Sequence, residues 1–498
     1  MAVNPDAPRL SRKTLDGLPE RARPLVRPGD VPAGVLHLGL GAFHRAHQAV
    51  YTELAIARAG GDWGIVGVAP RSMQTVRQLA EQDCLFSVTS LSGAETRTRV
   101  VGALAGVRHA ASDPAAVVAL LADPAIRVVT LTVTEKAYQL DPATGRLRAD
   151  DELVADLTTD RPPRTIPGLL VRGLRARYAA DAGPIALVSC DNLPSNGQRL
   201  RRLLDQALQL SASADATRLA EWFRRNVSCP STMVDRIVPA STPDTLATAA
   251  SELGVVDLAA VAAEPYRQWV IEDRFPAGRP AWETAGAVLT DDAGPWERLK
   301  LRTLNGVHSA AAYLGALAGR QTIAEALGIP HLTDVLRRLI TEDVAESFTP
   351  PAGVRVPEYG DEVLGRFANP VIRHRTIQVA MDGSQKLPQR VLHTIADLRA
   401  AGRRPRWSAL VVAAWMRFVQ GRADDGAELP LDDPLADRIR QALAPTGGAP
   451  DKVVAALFGL AEVFPPELAA DEEVRDLVVE WLTALSRHGV ATTLAGAA

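Results

Sequence analysis

Four stretches in the first part of the chain carry nearly unbroken apolar or β-branched residues: Val35–Leu38, Gly64–Val68, Arg127–Thr134 and Pro184–Cys190. Strands buried on both faces read this way, so the runs predict a parallel sheet covered by helices. Periodicity near 3.6 predicts helices over 198–225 and 241–262, and an aromatic, strand-like segment runs from Glu264 to Asp273. From about Gly294 the strand signals fade and Ala/Leu-rich helical patterns dominate. The expected organisation is α/β, with a first domain over 1–290 and a mainly α-helical second domain over 291–498. Residues 1–33 are polar and Pro/Arg-rich and read as an arm across the surface.

The strand ends carry the candidate chemistry. After Val35–Leu38 come Gly39, Gly41, Ala42, Phe43 and His44, a strand, glycine turn and helix start. Such a turn lets the backbone approach a pyrophosphate at a helix N-terminus. The third glycine of the dinucleotide fingerprint is replaced by His44, so the match is incomplete. His44 and His47 form an H-x-x-H pair, but no nearby acid or thiol completes a zinc set. The second run ends in Ala69-Pro70-Arg71, without the acid that would bind an adenosine ribose; Arg71 suits a 2′-phosphate equally. The third ends in Glu135-Lys136 and the fourth in Asp191-Asn192, polar groups where open α/β sheets bind ligands.

In the helical half, Gly294-Pro295-Trp296-Glu297 reads as a helix start, followed by Lys300, Asn305 and His308. At about 100° per residue, Asn305 lies roughly 140° and His308 roughly 80° round from Lys300, on one side of an α-helix. By itself the patch reads as a snorkelling lysine, a capping-type amide and a core histidine. Further on, Arg373-His374-Arg375 precedes Asp382-Gly383-Ser384, which reads as a turn before Lys386.

Composition narrows the picture by exclusion. A net charge of −3 over 498 residues gives no reason to expect nucleic acid or an anionic membrane. Three scattered cysteines suit a reducing, cytoplasmic setting rather than a disulfide framework. The N-terminus carries no signal-peptide pattern, and the longest apolar run noted, Ala409–Met416, is too short to span a bilayer. Only five of the 55 basic residues are lysines: Lys13, Lys136, Lys300, Lys386 and Lys452. A lysine kept in so arginine-rich a chain marks a place where a removable proton matters.

Several segments together resemble the mannitol dehydrogenase family of polyol-specific long-chain dehydrogenases. They are HLGLGAFHRAHQAVYT (37–52), TLTVTEKAY (130–138), SCDNLPSNG (189–197), TMVDRIVP (232–239), EPYRQWVIED (264–273), GRPAWE (278–283), KLRTLNGVHSAAAYLG (300–315) and MDGSQKLP (381–388). Within the family, RHRTIQVAMDGSQKLPQR (373–390) and the lysine of TEK are similar to the D-mannonate oxidoreductase (fructuronate reductase) branch.

The resemblance implies a Rossmann-type N-terminal domain that binds NAD, with NADP not excluded, and a metal-free site. It implies Lys300 as general base, Asn192 and Asn305 as amides on the reacting oxygen, and Glu297 as a proton relay. Asp235, His308 and Lys386 are implied as substrate-binding groups. Gly39, Gly41, Ala42, Phe43, His44, Arg71 and Asn192 are expected on the coenzyme side. A lysine suits the chemistry, because burial and the positive end of its helix both favour the neutral amine. The family's polyol enzymes carry an arginine at the position aligned with Gln378, where this chain lacks one. Lys136 with Arg373 or Arg375 is therefore expected to bind a sugar-acid carboxylate.

The expected activity is hydride transfer between NAD(H) and D-mannonate/D-fructuronate. The alternatives are a mannitol 2-dehydrogenase or arabinitol dehydrogenase, a mannitol 1-phosphate dehydrogenase, or a non-catalytic dinucleotide-binding sensor. The expected partner is a small sugar acid or polyol, and the resemblance leans towards a monomer.

Overall fold

The computed structural model describes residues 7–92, 96–141, 145–211 and 215–497. The chain divides into two compact units at Ala293/Gly294.

Among the described residues twelve strands lie in the first unit: β1 (Ala33–Leu38), β2 (Gly64–Ala69), β3 (Phe86–Leu91), β4 (Thr96–Val101), β5 (Leu104–His109), β6 (Val128–Leu131), β7 (Ile185–Ser189), β8 (Val227–Ser228), β9 (Thr232–Asp235), β10 (Val261–Ala263), β11 (Gln268–Glu272) and β12 (Val288–Thr290). Six form a parallel sheet in the order β5-β2-β1-β6-β7-β8. This is the doubly wound arrangement, and the strand order reverses between β1 and β6. Leu36 and Leu38 of β1 face Val66 and Val68 of β2 on one side and Val129 and Leu131 of β6 on the other. These residues share one core. Val35, Ile65, Val128, Ala186 and Val188, alternating with residues of that set, fill the opposite core. Both faces are thus buried, which is why the strands are continuously apolar. Two three-stranded sheets, β10-β3-β4 and β12-β11-β9, complete the unit.

Several sequence-based expectations change. The hairpin β3-β4 and strand β5 escaped notice, although Phe86, Val88, Thr98 and Val100 alternate with other residues at the period of two that marks a strand. The helix expected over 241–262 stops at Leu253, because Gly254 takes a left-handed φ of 72° and ends it; Val261–Ala263 then joins a sheet. The helix expected over 198–225 is two helices, Asn196–Leu210 and Ala216–Asn226. The N-terminal arm is no loose strap. Leu10, Leu15, Leu18 and Ala22 are buried against Leu85, Val100, Leu253 and Val255 in a small core of their own.

The second unit is built around two buried helices, Gly306–Leu317 and Arg406–Phe418. All twelve residues of the first are buried, and the apolar run Ala409–Met416 is part of the second. Asp343 accepts from the backbone N–H of Ser408 at 2.6 Å, capping that helix; burial pushes its carboxyl up to about 6. No helix among the described residues is long and apolar enough to cross a membrane.

Three stretches of this unit are π-helical: Lys300–Asn305, Leu339–Val344 and Pro388–Leu392. Such turns are rare and concentrate at functional positions. The expected turn at Asp382-Gly383-Ser384 is also a correction. Asp382 is left-handed (φ 55°) and starts the short helix Gly383–Leu387, which Asp433 anchors by accepting from Ser384 N–H at 2.8 Å.

Candidate active site

The glycine turn closes the C-terminal end of β1, beside the point where the strand order reverses. Gly39 has a φ of 111°, and a Cβ placed there would meet the Thr132 carbonyl oxygen at 2.1 Å. Only glycine fits. Gly41 differs. It is exposed, its φ is −90°, and a Cβ there would meet nothing closer than 3.8 Å. The fold does not need a glycine at Gly41, so its bare backbone is free to serve an approaching ligand. That cradle fits the pyrophosphate of a dinucleotide. Gly41, Ala42 and Phe43 are the accessible members, whereas His44 is fully buried.

His44 therefore does not face a coenzyme, which corrects its expected role. Its ring stacks on His37 of β1, with centroids 3.4 Å apart and planes 11° from parallel. Where the fingerprint uses a third glycine for close helix–strand packing, this chain packs two flat imidazoles. His37 Nε2 lies 2.8 Å from the Gly39 carbonyl and 2.9 Å from the Thr132 hydroxyl, and its Nδ1 lies 2.8 Å from Thr130 Oγ1. The Thr132 hydroxyl donates to the Gly39 carbonyl at 2.8 Å. The consistent assignment is a neutral ring protonated on Nε2, with Thr130 donating to Nδ1. Burial agrees, holding His37 down to about 3 and His44 well below the ordinary range. His47 is also engaged: its Nε2 pairs with the Gln268 carbonyl at 2.9 Å, and Nδ1 meets Gln48 at 3.1 Å.

At the neighbouring strand end, β6 stops at Leu131, earlier than the expected Thr134. Thr134 has a φ of 70°, strained for a β-branched residue. Asp191, just beyond β7, holds the bend by accepting from the N–H groups of Val133 (3.1 Å) and Thr134 (3.0 Å) and from the Tyr138 hydroxyl (2.7 Å). Burial raises the Asp191 carboxyl, and the three donors oppose that shift. This clamp was not foreseen. Its function is to set the positions of Glu135 and Lys136 in a short 3-10 turn and of Asn192 next door. Lys136 is exposed and forms no ion pair with Glu135 or any other described residue. Asn192 is exposed too. Asp235 ends β9 opposite Gln268 and is buried. Its neighbour Arg236 donates to the backbone carbonyls of Glu264 (3.0 Å) and Ala46. Arg71 is exposed just past β2, where Ser72 caps the next helix.

In the second unit a helical run begins at Gly294 and puts Glu297 in its first turn. Lys300, 5% exposed, is the seventh residue of that run. The turn from Lys300 to Asn305 closes on the fifth residue rather than the fourth: the Gly306 N–H reaches the Leu301 carbonyl. Rotation per residue is smaller in a π-turn, so Asn305 comes further round towards the Lys300 face than α-helical arithmetic allows. Arg302 fixes this turn from behind, donating to Ser347 O (2.9 Å), Ser347 Oγ (2.8 Å) and Asp397 (2.5 Å).

Two of the π-turns touch. Arg390, from Pro388–Leu392, donates to Ser309 Oγ at 3.0 Å, and a Cβ on Gly306 would stand 2.9 Å from the Arg390 carbonyl oxygen. Gly306→Ala is therefore expected to push the turns apart. Overpacking of this kind costs roughly 1–3 kcal/mol, and small misplacements of reacting groups cost up to about 100-fold in rate. Thermal melts and steady-state kinetics together check this; a variant normal in both would show that the close approach is dispensable.

His308, one turn on, is 9% exposed. It stacks on Phe367 (4.5 Å between centroids) and lies 4.8 Å from the His374 ring. Burial, then the nearby His374, Arg390, Arg366 and Lys386, hold it well below the ordinary histidine range. Arg373 and Arg375 are exposed, and His374 between them is the residue that turns towards His308. Lys386 donates to the Met381 and Val379 carbonyls; burial and Arg390 lower its pKa. His374 and Arg390 were missed as site residues. Both stand in the motif 373–390, but nothing in a linear pattern says which of its many basic residues turns inward.

The first unit thus holds a dinucleotide-type turn and polar strand ends, and the second holds a buried lysine, an amide and imidazoles among cations. Comparison with known proteins gives this combination its family. Residues 33–284 match the mannitol dehydrogenase Rossmann domain, and 292–486 match the mannitol dehydrogenase C-terminal domain. The D-mannonate oxidoreductase of Escherichia coli is 38% identical, over 95% of this chain and 97% of the relative. An uncharacterised E. coli oxidoreductase, YeiQ, is 42% identical, over 87% and 88% of the two chains. The Pseudomonas fluorescens mannitol 2-dehydrogenase, solved as a ternary complex with NAD and D-mannitol, superposes with a TM-score of 0.84 at 33% identity, covering 98% of this chain and 99% of that one. With both domains matched in order along nearly the whole chain, the protein is an oxidoreductase belonging to the mannitol dehydrogenase family.

Proposed function

We propose that this protein interconverts D-mannonate and D-fructuronate with NAD(H), using a lysine in place of a metal. The observation that carries the choice of a sugar acid is the surplus of positive groups about His308: Lys386, Arg390 and Arg366, with His374 beside them. A carboxylate pairs with such cations more strongly than the hydroxyls of a neutral polyol can. The relationship to the E. coli D-mannonate oxidoreductase supports the same reading.

NAD, when bound, supplies the hydride acceptor. Lys300 takes the alcohol proton as the carbon–oxygen bond gains carbonyl character. The side-chain amides of Asn305 and Asn192 donate to the oxygen while it carries alkoxide charge. Asp235 accepts from substrate hydroxyls, and Glu297 passes the proton on to water. In the reverse direction Lys300, protonated, returns the proton to the ketone. Nothing in these steps needs a second subunit, which is consistent with a monomer.

The test is a spectrophotometric screen with NADH and NADPH against D-fructuronate, D-tagaturonate, D-fructose, D-xylulose and D-fructose 6-phosphate. Preferential turnover of a ketouronate supports the proposal. Preference for a neutral ketose supports the second reading, a polyol dehydrogenase, which the likeness to the mannitol 2-dehydrogenase favours. Reduction of fructose 6-phosphate would point to a sugar-phosphate enzyme, and no turnover with any substrate would leave a dinucleotide-binding sensor. Exposed Arg71 leaves both coenzymes for the screen to separate.

Lys136→Met refines the assignment. If Lys136 meets the carboxylate, KM for fructuronate rises about tenfold while that for a neutral ketose stays level. An unchanged ratio of the two would remove Lys136 from the carboxylate site.

A further inference from the structure

The imidazoles of His308 and His374 have a property that a plain hydroxyl-binding pair would not need. His308 Nε2 and His374 Nδ1 are both enclosed, and neither has a hydrogen-bond partner. Their rings lie 4.8 Å apart, tilted by 57°. A buried nitrogen left unpaired is costly, and two at one place suit a ligand that offers two acceptor oxygens. The two nitrogens do not hydrogen-bond each other, so a carboxylate could partner both, provided each carries a proton. What disfavours the added ring proton in the free protein is the surroundings. Phe367 and Arg366 face His308 from the helix Val356–Phe367, Lys386 from Gly383–Leu387, and Arg390 from Pro388–Leu392. Lys386 also bears on His374. Two carboxylates bear on Lys386: Asp382, 3.7 Å away, and Asp433.

We propose that His308 and His374 form a paired-imidazole lock for the substrate carboxylate, taking up one proton from solvent as the anion binds. His374 is then a specificity-determining residue, acting through His308. The inference rests on the sugar-acid reading above.

The sign follows from linkage. In the free protein, burial and the cations hold both rings neutral near pH 7. An entering carboxylate offsets the cations and raises the pKa of the pair. Between the free and bound pKa values, anion binding carries one proton, so affinity strengthens by up to about tenfold per pH unit of acidification. A neutral ligand brings no such slope. Reduction itself consumes a proton through Lys300, so the comparison must be of binding and must use two ligands that differ only in charge.

The experiment measures competitive inhibition constants of a hexonate and the matching hexitol against ketouronate reduction, from pH 6 to 9. The expected result is that the hexonate constant falls as pH falls, relative to the hexitol constant, by up to about tenfold per unit over part of the range. In His374→Asn, which keeps a hydrogen-bonding group but cannot take the proton, the relative slope disappears. The hexonate then binds roughly tenfold more weakly near pH 6, with the hexitol constant within about twofold of wild type. A pH-independent ratio in the wild-type protein, with ketouronate turned over normally, overturns the lock and leaves the proposed function standing. A slope that survives in a folded His374→Asn also overturns it. Failure to reduce any ketouronate at any pH overturns both readings.

Discussion

Lys300→Ala is expected to lower kcat by on the order of 10⁴-fold while the affinity for NADH stays within a few-fold of wild type. In the proposed reaction Lys300 performs two tasks in one place, moving the proton and holding the oxygen, so its removal would forfeit both. Coenzyme affinity should survive because the glycine turn proposed to serve it is built from β1, β6 and the helix after Gly41, all in the other unit. Lys300→Arg sharpens the test. Arginine retains the positive charge but does not lose its proton in proteins, so it should be nearly as inactive as alanine in the oxidation direction. Stopped-flow measurement of the hydride-transfer step, with NADH titrated separately by fluorescence, distinguishes chemistry from binding. Partial recovery of Lys300→Ala by small primary amines in the buffer is expected, because the lost group is a diffusible base. Near-normal turnover in Lys300→Ala, or full activity in Lys300→Arg, would remove the lysine from the chemistry.

What made Lys300 visible in the sequence was its company, and what stayed hidden was geometry. The central strands were legible because burial on both faces leaves a continuous apolar run, as in Val128–Leu131 and Ile185–Ser189. The hairpin of β3 and β4 was overlooked because arginines break its apolar alternation on one face, as at Arg97 and Arg99. The N-terminal arm shows few apolar residues, yet Leu10, Leu15 and Leu18 recur often enough to seat it. The π-turn at Lys300–Asn305 leaves no signature in the hydrophobic pattern, because one extra residue in a turn changes the phase of everything beyond it without changing composition. His374 illustrates the last limit. Three basic residues stand in a row, and only the left-handed conformation of Arg373 (φ 49°), together with the packing that follows it, decides that the middle one turns towards His308.

Gly39→Ala and Gly41→Ala are expected to separate what the turn does for the fold from what it does for the coenzyme. At Gly39 an added methyl meets the Thr132 carbonyl oxygen at 2.1 Å and its carbon at 2.6 Å, both backbone atoms of the adjoining chain. The φ of 111° is itself strained for alanine. Strain of about 1–3 kcal/mol and overpacking of about 1–3 kcal/mol together predict a loss of roughly 2–6 kcal/mol, read as a lower melting temperature and chemical-denaturation midpoint. Relief of the clash requires Gly39 and Thr132 to part, which breaks the bridge from the Thr132 hydroxyl to the Gly39 carbonyl and the two contacts of His37 Nε2. NADH affinity should therefore fall by about 100-fold or more even in the molecules that remain folded, since 1.4 kcal/mol is already tenfold. Gly41→Ala has no such collision, its φ of −90° suits alanine, and its stability should stay within about 0.5 kcal/mol of wild type. Its methyl instead occupies the open space over the turn, so NADH affinity should fall by about tenfold or more with the fold intact. Equal stability losses in the two variants would show that the turn is held by something other than the Gly39–Thr132 approach. Unimpaired NADH binding by Gly41→Ala would place the pyrophosphate elsewhere than over this backbone.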